Sequence, residues 1–400
     1  MTTLDNLTKD SITITLKCFF DFEETLADEL KELGYKDIVL LNRAVQIKGT
    51  WYDVYFLNLH IRCAISILVE IAQFRIHDEQ DVYKKSAQID WTTFFRSNQT
   101  FAIKGAVNSG LFKNSHFPFL LVKDAIVDCF RDKNLERPNI ELKTPNILID
   151  LYIRENMVTL SINTSGAPLF HRGYRTETGS APLNEVVAAC LIRLSGWDRK
   201  TTFLDPFCGS GTILIEAALL AAGIPSSIER QHYAFKNLKN FDQQMWDKIY
   251  DEAPKNSREL PCRIFGSDIA DEMVLKTRAN LRSMSFGKLI AISVLDFSEI
   301  QKQDEPVFIL TNPPYGQRLE ADVLDLYSGI GDWLKNTMNP STTWIITSNE
   351  DGPKSIGLRP GKKYNIYNGD IPCTFRSYET FSGSLKEFKS KSKSNNNSAQ

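Results

Sequence analysis

The segment TNPPYGQRL, residues 311–319, closes an apolar run with an amide side chain, two prolines and a tyrosine. Pro313 and Pro314 lack amide hydrogens and fix their φ angles, so the backbone carbonyls there stay unpaired and point outward. The side-chain carbonyl of Asn312 and the carbonyl of Pro313 can together accept both hydrogens of an exocyclic aromatic amine, while Tyr315 stacks on the ring that bears it. Such an amine is a poor nucleophile because its lone pair is delocalised, and two directional acceptors bias it toward a tetrahedral geometry. No strong base is needed beforehand, since the proton becomes acidic only as the new N–C bond forms. Positioning and electrostatics then carry most of the acceleration. A base held in this way has left its helical stack, so a flipped or unpaired nucleotide is expected. The competing account of N-P-P-Y alone is a plain proline turn after a strand.

A second motif, LDPFCGSGT, spans residues 204–212. Gly209 and Gly211 let the main chain turn sharply and approach a ligand. A dinucleotide fingerprint would place a third glycine where Leu214 stands, and a phosphate loop would need G-K-[ST]; both are absent. A ligand without phosphate fits better, and S-adenosylmethionine, with a methionine end, a ribose and an adenine, is such a ligand. Asp205 can accept from its ammonium group, whereas it would repel a phosphate.

Asp268 closes the next expected strand, RIFGSD, where a carboxylate can accept from ribose hydroxyls. Asp296 closes the one after, IAISVLD, placed to accept from the adenine amine, with Phe297 beside it to pack on the ring. The expected cofactor set is Asp205, Pro206, Phe207, Cys208, Gly209, Gly211, Thr212, Asp268, Ile269, Asp296, Phe297 and Asn312. Any one of these aspartates could instead be a helix N-cap; three at successive strand ends argue for a shared site.

The elements that must hold these residues alternate regularly from Thr201: strand TTFLD, glycine loop, helix TILIEAALLAAG, strand RIFGSD, helix DEMVLKTRANLRSM, strands IAISVLD and VFILTN, helix VLDLYSGIGDWLKN, strand TWIITS. That grammar predicts an α/β, doubly wound, mostly parallel sheet over 201–385. Upstream, 11–19 read as a strand, 21–34 as a helix and 37–48 as strands, a small β-α-β opening unit. From 75 to 165, two helices and paired strands suggest an α+β module in which no nucleophile, carboxylate pair or metal pattern stands out. An aromatic insertion between Gly223 and Cys262 is expected to carry its own helix, and it either shapes substrate access or covers the sheet. The last residues, 386–400, hold too little apolar content to fold and read as a disordered basic tail.

With 47 basic and 49 acidic residues, no global positive field advertises a nucleic-acid partner. The seven cysteines show no C-x-x-C pair and the five histidines no H-x-x-x-H spacing, so reduced thiols and no metal are expected. No apolar run is long enough to span a membrane and no signal-peptide pattern opens the chain, which predicts a soluble cytoplasmic protein.

With those motifs in place, the chain resembles the THUMP-containing family of S-adenosylmethionine-dependent RNA guanine-N2 methyltransferases, most like the amino-terminal halves of bacterial bifunctional 23S rRNA methyltransferases and their free-standing relatives. The resemblance runs through SINTSG, LFHRGYR, DPFCGSGTILIEAALLAAG and TNPPYGQRL. It implies a ferredoxin-like portion over 1–50 with a return strand near 60–74, a THUMP domain over 51–165, a connector over 166–200 and a Rossmann-like methyltransferase domain over 201–385. It also implies catalysis by Asn312, Pro313, Pro314 and Tyr315, and a grip on 23S rRNA, before or during large-subunit assembly, through Arg172, Tyr174, Arg175 and Arg318. A structural latch is the competing role for the connector. The bifunctional members continue into a second methyltransferase domain that makes 7-methylguanine; this sequence ends in a lysine-asparagine tail, so a single modification is expected. Rival readings are a tRNA guanine-N2 enzyme, DNA adenine-N6 and protein-glutamine enzymes, which leave residues 1–165 unexplained, and a non-enzymatic assembly factor with a dead methyltransferase fold.

Overall fold

In the computed structural model, residues 11–178, 182–255, 259–314 and 320–381 are described. The chain forms two compact units: residues 1–173 with 225–253, and residues 174–224 with 254–400.

The first unit opens with β1 (Ile12–Lys17), whose even positions Ile12, Ile14 and Leu16 are buried, as the alternating sequence requires. Helix α1 (Glu23–Glu32) buries Leu26 and Leu30 on one face and carries Glu23 and Glu24 in its first turn. Next come β2 (Val39–Leu41), β3 (Ala44–Gly49) and α2 (Trp51–His60), the last started by a reciprocal capping box between Thr50 and Asp53. Strand β4 (Ser66–Arg75), α3 (Gln80–Ser86), β5 (Phe101–Asn108), α4 (Phe117–Asp132), β6 (Ile147–Arg154) and β7 (Met157–Asn163) follow.

All seven strands join one sheet in the order β2-β3-β1-β4-β7-β6-β5. Among the described residues of this sheet, β5 and β6 are the one parallel pair. The ferredoxin-like and α+β portions are therefore continuous through β4, which pairs with β1 along one edge and with β7 along the other.

The second unit starts with α5 (Glu185–Ser195), capped by the Asn184 side chain, then β8 (Thr202–Asp205) and α6 (Thr212–Ala221). The aromatic insertion that follows groups with the first unit and carries α7 (Gln243–Glu252). Its Phe235, Phe241 and Trp246 close on Tyr55 of α2, at ring-centroid distances of 4.6, 5.7 and 6.5 Å. Buried Arg230 anchors the same insertion by donating to the carbonyls of Ser165, Ala167, Pro168 and His171.

Back in the second unit lie β9 (Ile264–Asp268), α8 (Asp271–Leu281), β10 (Ile290–Val294), β11 (Val307–Thr311), α9 (Glu320–Asn336), β12 (Ser341–Thr347), α10 (Gly352–Ser355), β13 (Lys363–Asn368) and β14 (Ile371–Thr380). The sheet order is β10-β9-β8-β11-β12-β14-β13, parallel from β10 to β12, with β14 antiparallel to β12 and β13 antiparallel to β14. The doubly wound sheet expected from the sequence is thus present, extended by a carboxyl-terminal hairpin that the strand and helix alternation did not announce. Strand order reverses between β8 and β11, and ligands of such sheets bind at the carboxyl ends beside that switch. The expected tail, Tyr315 and Arg318 lie outside the described residues.

Candidate active site

Asp205 is the last residue of β8 and is 1% exposed. Its Oδ1 accepts from Thr311 Oγ1 at 2.7 Å and from the Phe207 amide at 3.2 Å. Burial, helped by the neighbouring Asp268 and partly offset by those two donors, pushes its carboxyl up to about 7. A carboxyl in that state is poised to ionise when a cation arrives beside it.

The glycine loop turns between β8 and α6 with Gly209 at φ +53° and Gly211 at φ +85°, conformations L side chains rarely adopt. Asp268, at the end of β9, accepts from the Gly209 amide at 3.0 Å through Oδ2 and from the Ala270 amide at 2.9 Å through Oδ1. Helix α8 holds the loop from behind: Thr277 Oγ1 donates to the Gly209 carbonyl at 2.7 Å and Asn280 Nδ2 to the Ser210 carbonyl at 3.0 Å. Within a trans peptide the amide hydrogen points opposite to the carbonyl. The Ser210 amide is therefore directed away from α8. Sequence reading missed Thr277 and Asn280, which belong to no motif; their i, i+3 spacing places them on one helix face. Pro206, Cys208 and Thr212 are buried within the loop's walls, and burial pushes the Cys208 thiol up, which leaves it protonated.

At the ends of β9 and β10, Ile269, Val294, Leu295, Asp296, Ser298 and Glu299 line an open cavity of about 400 Å³. Ile269 is 66% exposed and Val294 46%, so both offer apolar surface to a planar ring. Asp296 also caps the short 3₁₀ turn Phe297–Glu299, its Oδ1 accepting from the Ser298 amide at 2.9 Å and the Ser298 hydroxyl at 2.6 Å. The N-cap role and the cavity position coincide in this residue. Phe297 is a correction: it is buried in the core, tilted against Phe207 at 5.3 Å and edge-on to Trp333 at 5.7 Å. Its ring faces the core, which leaves Ile269 and Val294 as the open apolar walls.

Asn312 directly follows β11, with buried Pro313 and half-buried Pro314 after it. Its Oδ1 is buried and has no hydrogen-bond partner among the described residues. A buried acceptor left without a donor costs about 1–3 kcal/mol, so a ligand donor there is strongly favoured. That orphaned oxygen and the Asp205 carboxyl fit hydrogen-bond donors, one of them cationic, whereas the Ser210 amide of the glycine loop fits an acceptor.

The connector is a second correction. Arg172 is 0% exposed and donates to the carbonyls of Leu169 and Arg62. Tyr174, 2% exposed, donates to Glu216 at 3.1 Å. Arg175 pairs with Glu185 at 2.6 Å and donates to Thr212 Oγ1 at 2.7 Å, at the start of α6. These side chains hold protein rather than face a polyanion: Arg172 braces the first unit, and Tyr174 and Arg175 brace the second. Among the described residues no cluster of His, Cys, Asp and Glu could hold a metal, and no helix is long and apolar enough to cross a membrane.

Sheet order, glycine loop and strand-end carboxyls are those of a doubly wound α/β domain that binds its ligand at the strand ends. The chain belongs to the RMKL-like methyltransferase domain family, whose profile matches residues 172–377; a THUMP domain matches 77–163 and an RlmL ferredoxin-like domain 13–68. A crystal structure titled "SMU.472, a putative methyltransferase complexed with SAH" superposes with a TM-score of 0.83 at 24% identity, covering 94% of this chain and 100% of that one. The chain is 35% identical over 91% of its length to "Ribosomal RNA large subunit methyltransferase K/L" of Shewanella frigidimarina, of which it spans 52%. It is 33% identical to "Putative RNA methyltransferase slr0064" of Synechocystis, covering 90% of this chain and 94% of that one. A crystal structure of a "possible methylase" from Clostridium difficile 630 superposes with a TM-score of 0.83 at 29% identity, covering 94% of this chain and 100% of the other. The chain spans about half the length of the ribosomal RNA relatives it matches.

Proposed function

We propose that the protein methylates the exocyclic N2 amine of a guanine in 23S rRNA, with S-adenosylmethionine as the methyl donor. The carrying observation is the orphaned Asn312 Oδ1 at the end of β11, one residue beyond the Thr311–Asp205 hydrogen bond. The ribosomal RNA naming of the relatives, about half of whose length this chain spans, and the THUMP match support rRNA as the substrate.

S-adenosylmethionine supplies an electrophilic methyl group on a sulfonium. In this reading Asp205 takes the ammonium of its methionine end, Asp268 the ribose and Asp296 the adenine amine, with Ile269 against the ring. Asn312 Oδ1 and the Pro313 carbonyl accept the two hydrogens of the guanine amine and turn its nitrogen toward the methyl. Tyr315 is assigned to stack on the base, which has to be flipped or unpaired to enter. As the N–C bond forms, the bond between methyl and sulfur breaks, its electron pair stays on sulfur as a neutral thioether, and the acceptors hold the amine proton until it passes to water.

Tritiated methyl transfer to separate pools of unmodified 23S rRNA, 16S rRNA and tRNA, followed by nucleoside analysis, tests the proposal. N2-methylguanosine in 23S rRNA is the expected result. The same nucleoside confined to tRNA, or methyladenosine in any pool, would replace the proposed substrate.

A further inference from the structure

Between Met273 and Leu295 the chain carries Lys276, Arg278, Arg282 and Lys288 and no acidic residue, in a protein that is otherwise charge-balanced. Lys276 is paired with Glu272 at 2.6 Å. The other three converge on one feature, an open cavity of about 520 Å³ between the carboxyl end of α8 and edge strand β10. Arg278 and Arg282 lie four residues apart on one face of the helix end, and Lys288 comes from the loop that leads into β10. Arg278 is fixed by donation to the Ile292 carbonyl at 3.0 Å, while Arg282 and Lys288 have no acidic partner among the described residues. All three are exposed. The floor between them is apolar, from Leu281, Met284 and Ile290, so a bound anion meets no competing carboxylate.

We infer that this groove is a phosphate-docking site for the backbone of the RNA substrate, a site separate from the base pocket. The inference rests on the proposal that the substrate is RNA. Three cations around an acid-free groove meet the requirement of a phosphodiester backbone for point charges and guanidinium forks without base readout. The groove lies toward the amino-terminal half of β10, about 13 Å along the strand from its carboxyl end by the usual rise. Asn312 is three strand spacings across, roughly 14 Å. A strand of RNA held in the groove can reach the base pocket with a few nucleotides of backbone. The site adds affinity and orientation and carries no sequence information.

The test compares wild type with Arg278→Ala/Arg282→Ala/Lys288→Ala for binding of unmodified 23S rRNA fragments across a salt series, with cofactor affinity measured in parallel. The variant is expected to bind RNA about tenfold or more weakly near physiological salt, and to lose about two units from the slope of log K against log salt. Its cofactor affinity stays within twofold and the methylated nucleoside is unchanged. Arg282→Ala/Lys288→Ala, which keeps the Arg278 bond to Ile292, repeats the test if the triple variant loses its fold. Unchanged affinity and slope in a folded variant would overturn the groove alone. A wild type with no affinity for any RNA would overturn the RNA reading, and the groove with it.

Discussion

Thr311 Oγ1 donates to Asp205 Oδ1 across 2.7 Å, and both residues are 1% exposed. The bond joins the last residues of β8 and β11, the two central strands at which the sheet order reverses. It therefore ties the carboxyl assigned to the cofactor to the residue just before Asn312.

Cofactor affinity should follow the ionisation of Asp205. With its carboxyl pushed up to about 7, the group is largely neutral in mild acid, and a cationic ligand favours its carboxylate. Affinity is expected to rise with pH through about 7 and then level off, read by calorimetric titration. Asp205→Asn should abolish that slope and weaken binding about tenfold or more, the loss expected for one hydrogen bond to a charged partner. Without ligand the sign reverses for stability. The folded group binds its proton more tightly than the unfolded one, so its contribution is complete below about 4 and is lost as pH rises through about 7.

Asn312→Ala separates chemistry from cofactor binding. Methyl transfer should fall by about a hundredfold or more, because the acceptor that turns the amine is removed. Cofactor affinity should stay within a few-fold. Equal loss of both quantities would sink the assigned role.

Asn280 is a positioning residue for the glycine loop. Its Nδ2 donates to the carbonyls of Ser210 and Glu177, and its Oδ1 accepts from the Thr176 and Glu177 amides at 2.8 and 3.0 Å. Asn280→Ala should weaken cofactor binding about tenfold, with transfer at saturating cofactor reduced far less. A fall in transfer rate with cofactor affinity unchanged would contradict that role. Gly211→Ala attacks the loop's other support on α8, since a Cβ there would meet Thr277 Cγ2 at 2.7 Å.

Arg230→Met should unfold rather than deactivate. The substitution strands four carbonyls that one guanidinium satisfies, Ser165's buried and the others part-buried, at a cost of about 3 kcal/mol. A large drop in the denaturant midpoint is expected. Full stability would show that the insertion does not depend on this anchor.

Much of the site was legible because its residues sit where strands end. Asp205, Asp268, Asp296 and Asn312 each follow a short apolar run, and period and punctuation locate such positions without tertiary knowledge. The connector misled because LFHRGYR looks basic and polar, whereas Arg172 is consumed by backbone carbonyls in a loop with no ladder to satisfy them and Arg175 by Glu185. Phe297 misled for a related reason: a residue adjacent to a site in sequence can point to either side of the backbone, and this one fills the core. The continuity of the first sheet was invisible because β4 pairs with β7 some ninety residues later. The acid-free run after Met273 was in plain view, but only the fold brings Lys288 to the two arginines.

The interleaving of the two units has a consequence for synthesis. The chain leaves the first unit after Gly173, returns at Pro225 and leaves again after Ala253. A ribosome adding about 5–20 residues per second takes several seconds to pass from one point to the other. Through that interval α2 presents Tyr55 without Phe235 and Trp246 to cover it, while β8 waits for β9 and β11. Neither unit can close before the other has begun, so the nascent chain carries two half-built cores at once, a window in which a holdase or a slowed codon would have its largest effect.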